Sequence, residues 1–321
     1  MTNVLLSAEG LTKHFPVRGG GLARAVDGVD FQVKQGGALG LVGESGCGKT
    51  TTGRMLVRLL EPTGGRIVFD GRDITHLRRS QLRPIRHQLQ IIFQDPYASL
   101  NPRHTVGRIV AMPLQVNRIR PAGGMKARVQ ELLEIVGLNP EHYNRYPHEF
   151  SGGQRQRVGI ARALALQPRL IVADEPVSAL DVSIQAQIIN LLRSLQRDLG
   201  LTFVFITHDL AVVSLFSPEV AVMYLGKIVE VGDRADIFAH PQHPYTRALM
   251  SAVPDPAALG TSRRIRLSGD VPSALNPPSG CRFRTRCPQA RERCSGDEPA
   301  LVTRGATQRT ACHFPEAIAP Q

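Results

Sequence analysis

Up to about Asp236 the chain alternates short apolar runs with stretches whose apolar residues recur at helical spacing, separated by Gly-rich loops. That pattern predicts an α/β fold. Ala38 to Val42 is a wholly apolar run ahead of a Gly-rich turn, the signature of a buried strand. Residues 50–60 follow as a predicted helix with Met55, Leu56, Leu59 and Leu60 on one face, stopped by Glu61-Pro62-Thr63-Gly64-Gly65. Residues 170–173 and 202–206 read as two more buried strands. Between them Ile184, Ile188, Leu191, Leu192, Leu195 and Leu199 keep a helical period that Gly200 ends. The longest apolar stretch, residues 203–225, is interrupted by His208, Asp209 and Glu219, so no membrane span is predicted. Near the N-terminus only Val4-Leu5-Leu6 is apolar and no basic lead precedes it. The expectation is therefore no secretory signal and a cytoplasmic protein.

Composition divides the chain. Its 321 residues, 42% of them apolar, suffice for one large domain and a smaller appendage. After Asp236 the last segment holds eleven of the 23 prolines and four of the five cysteines. Proline removes backbone donors and interrupts helices and sheets, so this segment is expected to be loop-rich and to need a further stabiliser. The formal charge of +12 is compatible with nucleic acid, an anionic membrane or a solvated Arg-rich surface. With no Trp and few aromatic residues, no aromatic–basic platform for nucleic acid is visible.

Gly43-Glu44-Ser45-Gly46-Cys47-Gly48-Lys49-Thr50 fits G-x-x-x-x-G-K-[ST], placed after a predicted strand and at the start of a predicted helix. The glycines let backbone N–H groups close around phosphate oxygens, and the helix N-terminus favours an anion. Lys49 is placed to reach the β- and γ-phosphates and Thr50 to ligate Mg²⁺. Farther on, Leu170-Ile171-Val172-Ala173 delivers Asp174 and Glu175 at the carboxyl end of a strand, where open α/β sheets bind ligands. Asp174 suits Mg²⁺, and Glu175 suits acceptance of a proton from attacking water. Phe150-Ser151-Gly152-Gly153-Gln154 precedes a helix predicted over residues 155–166. Taken alone, it is either a second phosphate cradle or a helix with a Ser cap and a flexible entry.

In this order the elements resemble the ATP-binding-cassette (ABC) family over roughly residues 5–236. Phe150 to Gln154 is similar to the signature motif written LSGGQ, with Phe in place of the leading Leu. The resemblance implies a P-loop NTPase with a RecA-like core, an antiparallel β subdomain and a helical subdomain near residues 95–165. It assigns Gln94 to the Q-loop, touching Mg²⁺ or water, and Asp181 of Ser178-Ala179-Leu180-Asp181 to the D-loop. His208 becomes the switch histidine at the γ-phosphate, and Phe15 the aromatic that stacks on adenine. ATP would then lie against Phe15, Gly43, Ser45, Gly46, Cys47, Gly48, Lys49, Thr50 and Thr51, with Mg²⁺ on Thr50, Gln94 and Asp174. Two domains of this family pair head to tail, so Ser151, Gly152, Gly153 and Gln154 would cap the ATP of a partner. ATP hydrolysis then loosens the pair.

The segment from Phe93 to Arg103, and His240-Pro241-Gln242-His243-Pro244-Tyr245-Thr246-Arg247-Ala248-Leu249, resemble the dipeptide, oligopeptide and nickel importers of bacteria. That branch implies a second ATPase subunit (unlike or identical), two permeases and an extracytoplasmic solute-binding protein. The subunit would sit peripherally on the cytoplasmic face of the inner membrane, with no nucleic-acid partner. Peptides are the expected cargo, with nickel or another small solute as alternatives. A soluble cassette acting on nucleic acid or ribosomes is the competing class; such proteins usually carry two cassettes or long coiled-coil insertions. Residues 237–321 form the extension of this branch. In it Cys281, Cys287, Cys294 and Cys312 suggest a metal site rather than disulfides. The spacing lacks the close pair usual for structural zinc, and four thiols also suit iron–sulfur. The resemblance favours a 4Fe–4S cluster, with zinc, aided by His313, or free thiols as alternatives. Arg282, Arg284, Arg286, Arg291 and Arg293 are expected either to offset thiolate charge or to form a solvated basic loop.

Overall fold

A computed structural model of the protein describes residues 3–17, 19–252 and 265–315. In chain order the elements begin with β1 (Val4–Pro16), β2 (Leu22–Lys34), β3 (Ala38–Val42), α1 (Lys49–Leu56), β4 (Gly64–Phe69) and β5 (Arg72–Asp73). There follow α2 (Arg79–Gln88), β6 (Leu89–Ile92), α3 (Val106–Val116), α4 (Met125–Ile135), α5 (Gly152–Leu164), β7 (Leu170–Asp174) and α6 (Val182–Leu199). The chain continues with β8 (Thr202–Thr207), α7 (Leu210–Phe216), β9 (Glu219–Tyr224), β10 (Lys227–Asp233), α8 (Arg234–Ala239) and α9 (Pro244–Met250). A short turn of helix, α10 (Arg293–Gly296), and the two-residue strands β11 (Val302–Thr303) and β12 (Arg309–Thr310) complete it. The chain forms two compact units. One joins Met1–His76 to Phe205–Gln321; the other is Leu77–Val204. The composition break at Asp236 is therefore not a boundary between compact units.

In the first unit β1 and β2 form a long antiparallel hairpin, flanked by β4 and β5 in the order β2-β1-β4-β5. Leu5, Leu6, Leu11, Val26, Val29, Phe31 and Val33 of the hairpin are buried. A second sheet pairs β3 in parallel with β9, Leu39 opposite Glu219 through Val42 opposite Val222. All five β3 residues are buried, as a parallel strand covered on both faces requires. β9 turns into β10, β12 lies against β10, and β11 lies against β12.

The Pro-rich extension is held to this sheet by a buried carboxylate. Glu230, fully buried in β10, accepts from the backbone N–H groups of Gln242 (2.7 Å) and His243 (3.1 Å) and from Gln308 Nε2 (2.7 Å). Burial raises the Glu230 carboxyl above its usual range, and the donors around it work in the opposite direction. An aromatic cluster seals the same region, with Tyr224 4.7 Å from Tyr245 and 5.2 Å from Phe283 between ring centres.

The second unit carries β6 parallel to β7, Leu89 opposite Leu170 through Ile92 opposite Ala173. Helices α3, α4 and α5 pack on one another around Val110, Val129, Leu133 and Ile160. The unit reaches beyond residues 95–165, because β6, β7 and α6 belong to it.

Three sequence expectations shift. Helix α1 begins at Lys49 and ends at Leu56, because Arg58 turns to φ 54° and its Nε donates to Ile74 O at 2.9 Å. Leu59, expected on the buried face, is 54% exposed. Helix α5 begins at Gly152, so both signature glycines lie in its first turn. In α6 the inward face is Ile188, Ile189, Leu192 and Leu195, and Leu199 is exposed.

Candidate functional site

The first unit supplies the phosphate loop. Gly43 and Gly48 admit no side chain: a β-carbon on Gly43 would lie 2.1 Å from Met223 O, and one on Gly48 2.1 Å from Ala25 O. Both also have positive φ, 154° and 106°. The loop is pinned to the turn between β9 and β10 by Gly226 N donating to Cys47 O at 2.9 Å. Lys49 is buried, and its ammonium donates to the carbonyls of Gly43 (2.8 Å) and Glu44 (2.9 Å). Cys47 is buried and burial pushes its thiol up, so it serves as a small apolar residue under the loop. Ser45, Gly46, Thr50 and Thr51 lie in the loop and at the start of α1. Phe15, at the end of β1, is 36% exposed with the Lys13 ammonium 5.2 Å from its ring centre, so it is not core. His208 follows β8 and is exposed.

The second unit supplies the acids. Asp174 is the last residue of β7 and is buried. Glu175, next along, has φ 45°, and its carbonyl accepts from Ser178 Oγ at 3.1 Å. Gln94 Nε2 donates to Glu175 Oε2 at 2.8 Å, which joins two residues assigned to one reaction. Ser151 caps α5: its Oγ accepts from Gln154 N at 3.3 Å, while Gln154 Oε1 accepts from Ser151 N at 3.0 Å. Phe150 is buried and stands edge-on to His142 at 5.2 Å, so Phe serves in place of Leu as an anchor. Gly152 and Gly153 lie against Leu180 and Ile184, and Asp181 is the N-cap of α6.

Several contacts have no motif behind them. The Arg155 guanidinium lies 3.8 Å from the ring centre of exposed Tyr97, and Arg162 NH1 donates to Ser99 O at 2.5 Å. The segment after Gln94 is thus stapled to the helix that carries the signature. In the extension, Arg282 donates to Leu225 O at 2.5 Å and pairs with Asp27. Arg286 donates through both terminal nitrogens to Glu44, at 2.7 and 3.1 Å. The two arginines therefore act on carboxylates, not on thiolate charge, and are buried rather than solvated. The alternation of Arg between Cys281 and Cys287 was the visible signal; the partners, more than two hundred residues away, were not.

Cys281, Cys287, Cys294 and Cys312 line one cavity with Phe283 and Phe314. Burial, reinforced by the neighbouring thiols, raises Cys281 to about 11 and shifts Cys287 and Cys312 upward too. Among the described residues no group of three or more His, Cys, Asp or Glu is arranged to hold a metal ion. No described helix is long and apolar enough to cross a membrane.

Residues 26–178 match the ABC transporter family, and residues 229–294 match the oligopeptide/dipeptide transporter C-terminal region. A putative peptide import ATP-binding protein of Brucella ovis is 54% identical over 297 residues, covering 92% of this chain and 93% of that protein. The oligopeptide transport ATP-binding protein AppF of Bacillus subtilis is 50% identical over 319 residues, 97% of each. Among solved structures, a dimeric ATP-binding cassette in a post-hydrolysis state with ADP and Pi aligns with TM-score 0.65 at 30% identity, covering 71% of this chain and 98% of that one. The cbiO1 protein of Clostridium perfringens, part of the ABC transporter complex cbiONQ, aligns with TM-score 0.66 at 30% identity, covering 74% and 92%.

Proposed function

The chain belongs to the ATP-binding proteins of the ABC transporter family, and we propose that it is the peripheral subunit that energises import of di- or oligopeptides across a bacterial inner membrane. It binds and hydrolyses ATP. What favours peptide import over the other duties of the family is the C-terminal region, matched over residues 229–294 and seated on β10 through Glu230.

In this reading backbone N–H groups of residues 45–49 and the Lys49 ammonium hold the β- and γ-phosphates. Phe15 stacks on adenine, and Ser45, Thr50 and Thr51 complete the contacts of the loop. Thr50, Gln94 and Asp174 offer hard oxygen donors of the kind Mg²⁺ takes. Bound Mg²⁺ would neutralise charge on the phosphates. Glu175, held by Gln94, takes a proton from the attacking water, and His208 contacts the γ-phosphate. Ser151, Gly152, Gly153 and Gln154 cap the nucleotide of a second ATPase subunit, with Asp181 beside that junction. The second subunit is an unlike chain, and two permeases and an extracytoplasmic binding protein complete the importer.

The four thiols suit a 4Fe–4S cluster better than a single zinc ion. They line one cavity, and a cluster brings its own sulfide core. Stoichiometric zinc without acid-labile sulfide after anaerobic purification would overturn this assignment.

The importer itself is tested by recovering the subunit from its native membrane in mild detergent and identifying its companions by mass spectrometry. Two permeases and a second cassette are expected. Recovery with ribosomes or DNA alone would replace transport by the competing function.

A further inference from the structure

The cysteine-bounded loop is in direct contact with the phosphate loop. Between Cys281 and Cys287 the chain turns twice, with Arg284 N donating to Cys281 O (3.1 Å) and Arg286 N to Phe283 O (3.0 Å). The turns direct three side chains at the nucleotide-binding elements. Phe283 enters the cluster of Tyr224 and Tyr245. Arg282 pairs with Asp27, which also bonds His14 Nε2 at 2.9 Å, one residue from Phe15. Arg286 forks onto the Glu44 carboxylate, and Tyr245 Oη accepts from Glu44 N at 2.9 Å. Glu44, the first variable residue of the phosphate motif, is thus gripped at side chain and backbone by the C-terminal segment.

We propose that Arg286, with Tyr245, is a positioning residue for ATP binding: it acts through Glu44, fixing the first turn of the phosphate loop and cancelling a carboxylate charge beside the phosphates. The inference rests on the reading of residues 43–50 as the phosphate site. Two physical effects add. A two-pronged guanidinium–carboxylate pair fixes orientation as well as distance. An unpaired Glu44 would repel the phosphates of ATP. The Arg286 side chain is only 8% exposed and that of Glu44 28%, so water screens the pair incompletely. The extension thereby becomes part of the nucleotide site rather than an appendage.

The test measures dissociation constants of the purified full-length chain for a fluorescent N-methylanthraniloyl ATP analogue with Mg²⁺. Arg286→Met removes the charge but keeps an apolar stem near Tyr224. It should weaken binding roughly two- to fivefold, the scale of one partly exposed charge pair. Arg286→Lys, which keeps charge without the fork, should fall between Met and wild type. Adding Glu44→Gln to Arg286→Met should recover most of the loss, because the repelling charge is gone; a merely structural arginine would give no such recovery. Wild-type affinity in Arg286→Met, or a double variant weaker than the single one, would overturn the proposal. Lys49→Ala separates the two readings. If that variant binds as tightly as wild type, the phosphate-site assignment fails; if it loses binding while Arg286→Met does not, only the role of Arg286 fails. Should Arg286→Met not fold, Arg286→Lys with and without Glu44→Gln decides: wild-type affinity in both overturns the proposal, and a weakened single variant restored in the double supports it.

Discussion

Glu175 sits at a backbone position that a β-carbon disfavours, φ 45° immediately after a strand buried along its whole length. Such a conformation costs on the order of 1–2 kcal/mol and persists where the surroundings hold it. Here the Gln94 amide and Ser178 hydroxyl do so. Glu175→Gln should keep the bond from Gln94, since an amide oxygen also accepts, and retain ATP binding. Phosphate release should fall by roughly 10²–10⁴, the usual worth of a general base. Release at the wild-type rate would remove Glu175 from that role. A second carboxylate contributes to acid sensitivity. Asp73 accepts from both the hydroxyl (2.6 Å) and the N–H (2.9 Å) of Thr75, whose hydroxyl in turn accepts from Ile67 N. These bonds, with Arg66, hold its carboxyl at about 2, below its ordinary 3.8. A depressed folded value means the contribution is present above 3.8 and is lost as pH falls toward about 2. Asp73 is 44% exposed on its side chain, so screening leaves about 1 kcal/mol or less. Thermal melts should show Asp73→Asn below wild type near neutral pH, with the gap closing as pH drops through that window. A constant gap would refute the linkage.

Helix α5 shows how one element serves two demands. A β-carbon on Gly153 would lie 2.4 Å from Ile184 Cγ2 at the start of α6, so the glycine is required by packing before any nucleotide arrives. Gly153→Ala would gain about 1 kcal/mol of helix propensity but should lose roughly 1–3 kcal/mol to overpacking. Net destabilisation in urea without nucleotide is expected, whereas a glycine needed only for ligand approach would yield a more stable variant. Legibility of the elements follows the same physics. Strands β3 and β7 were readable because burial on both faces forces continuous apolar runs. The end of α1 was not, since the left-handed turn at Arg58 depends on Ile74 in a distant segment. The period of α6 marked its covered face, and the departure is Leu199, which is exposed where the cover ends. A Ser cap at Ser151 was legible as one of two readings; its reciprocal bond with Gln154 was not. The staples from Arg155 and Arg162 were not, because they join aromatic and backbone groups whose nearness only the fold creates.

On the scale of the molecule, the motifs foretold a nucleotide-binding cassette, and composition foretold a loop-rich tail. Neither foretold that the tail would be fixed by Glu230, strand β12 and the arginine grip on Glu44, all contacts between distant segments. The parallel pairing of β3 with β9 has a further consequence, for biosynthesis. Leu39, Leu41 and Val42 leave the ribosome early, but their partners Glu219 to Val222 are translated only after the entire second unit. At ordinary elongation rates that interval lasts roughly ten to forty seconds. For most of it this wholly apolar strand has no mate. Nascent chains stalled within the second unit should therefore be cut by protease at β3 and be captured by chaperones that clasp exposed apolar segments. Chains released after β10 should escape both. Translation speed through residues 77–204 would then set the yield of folded protein, whatever the final stability of the cassette.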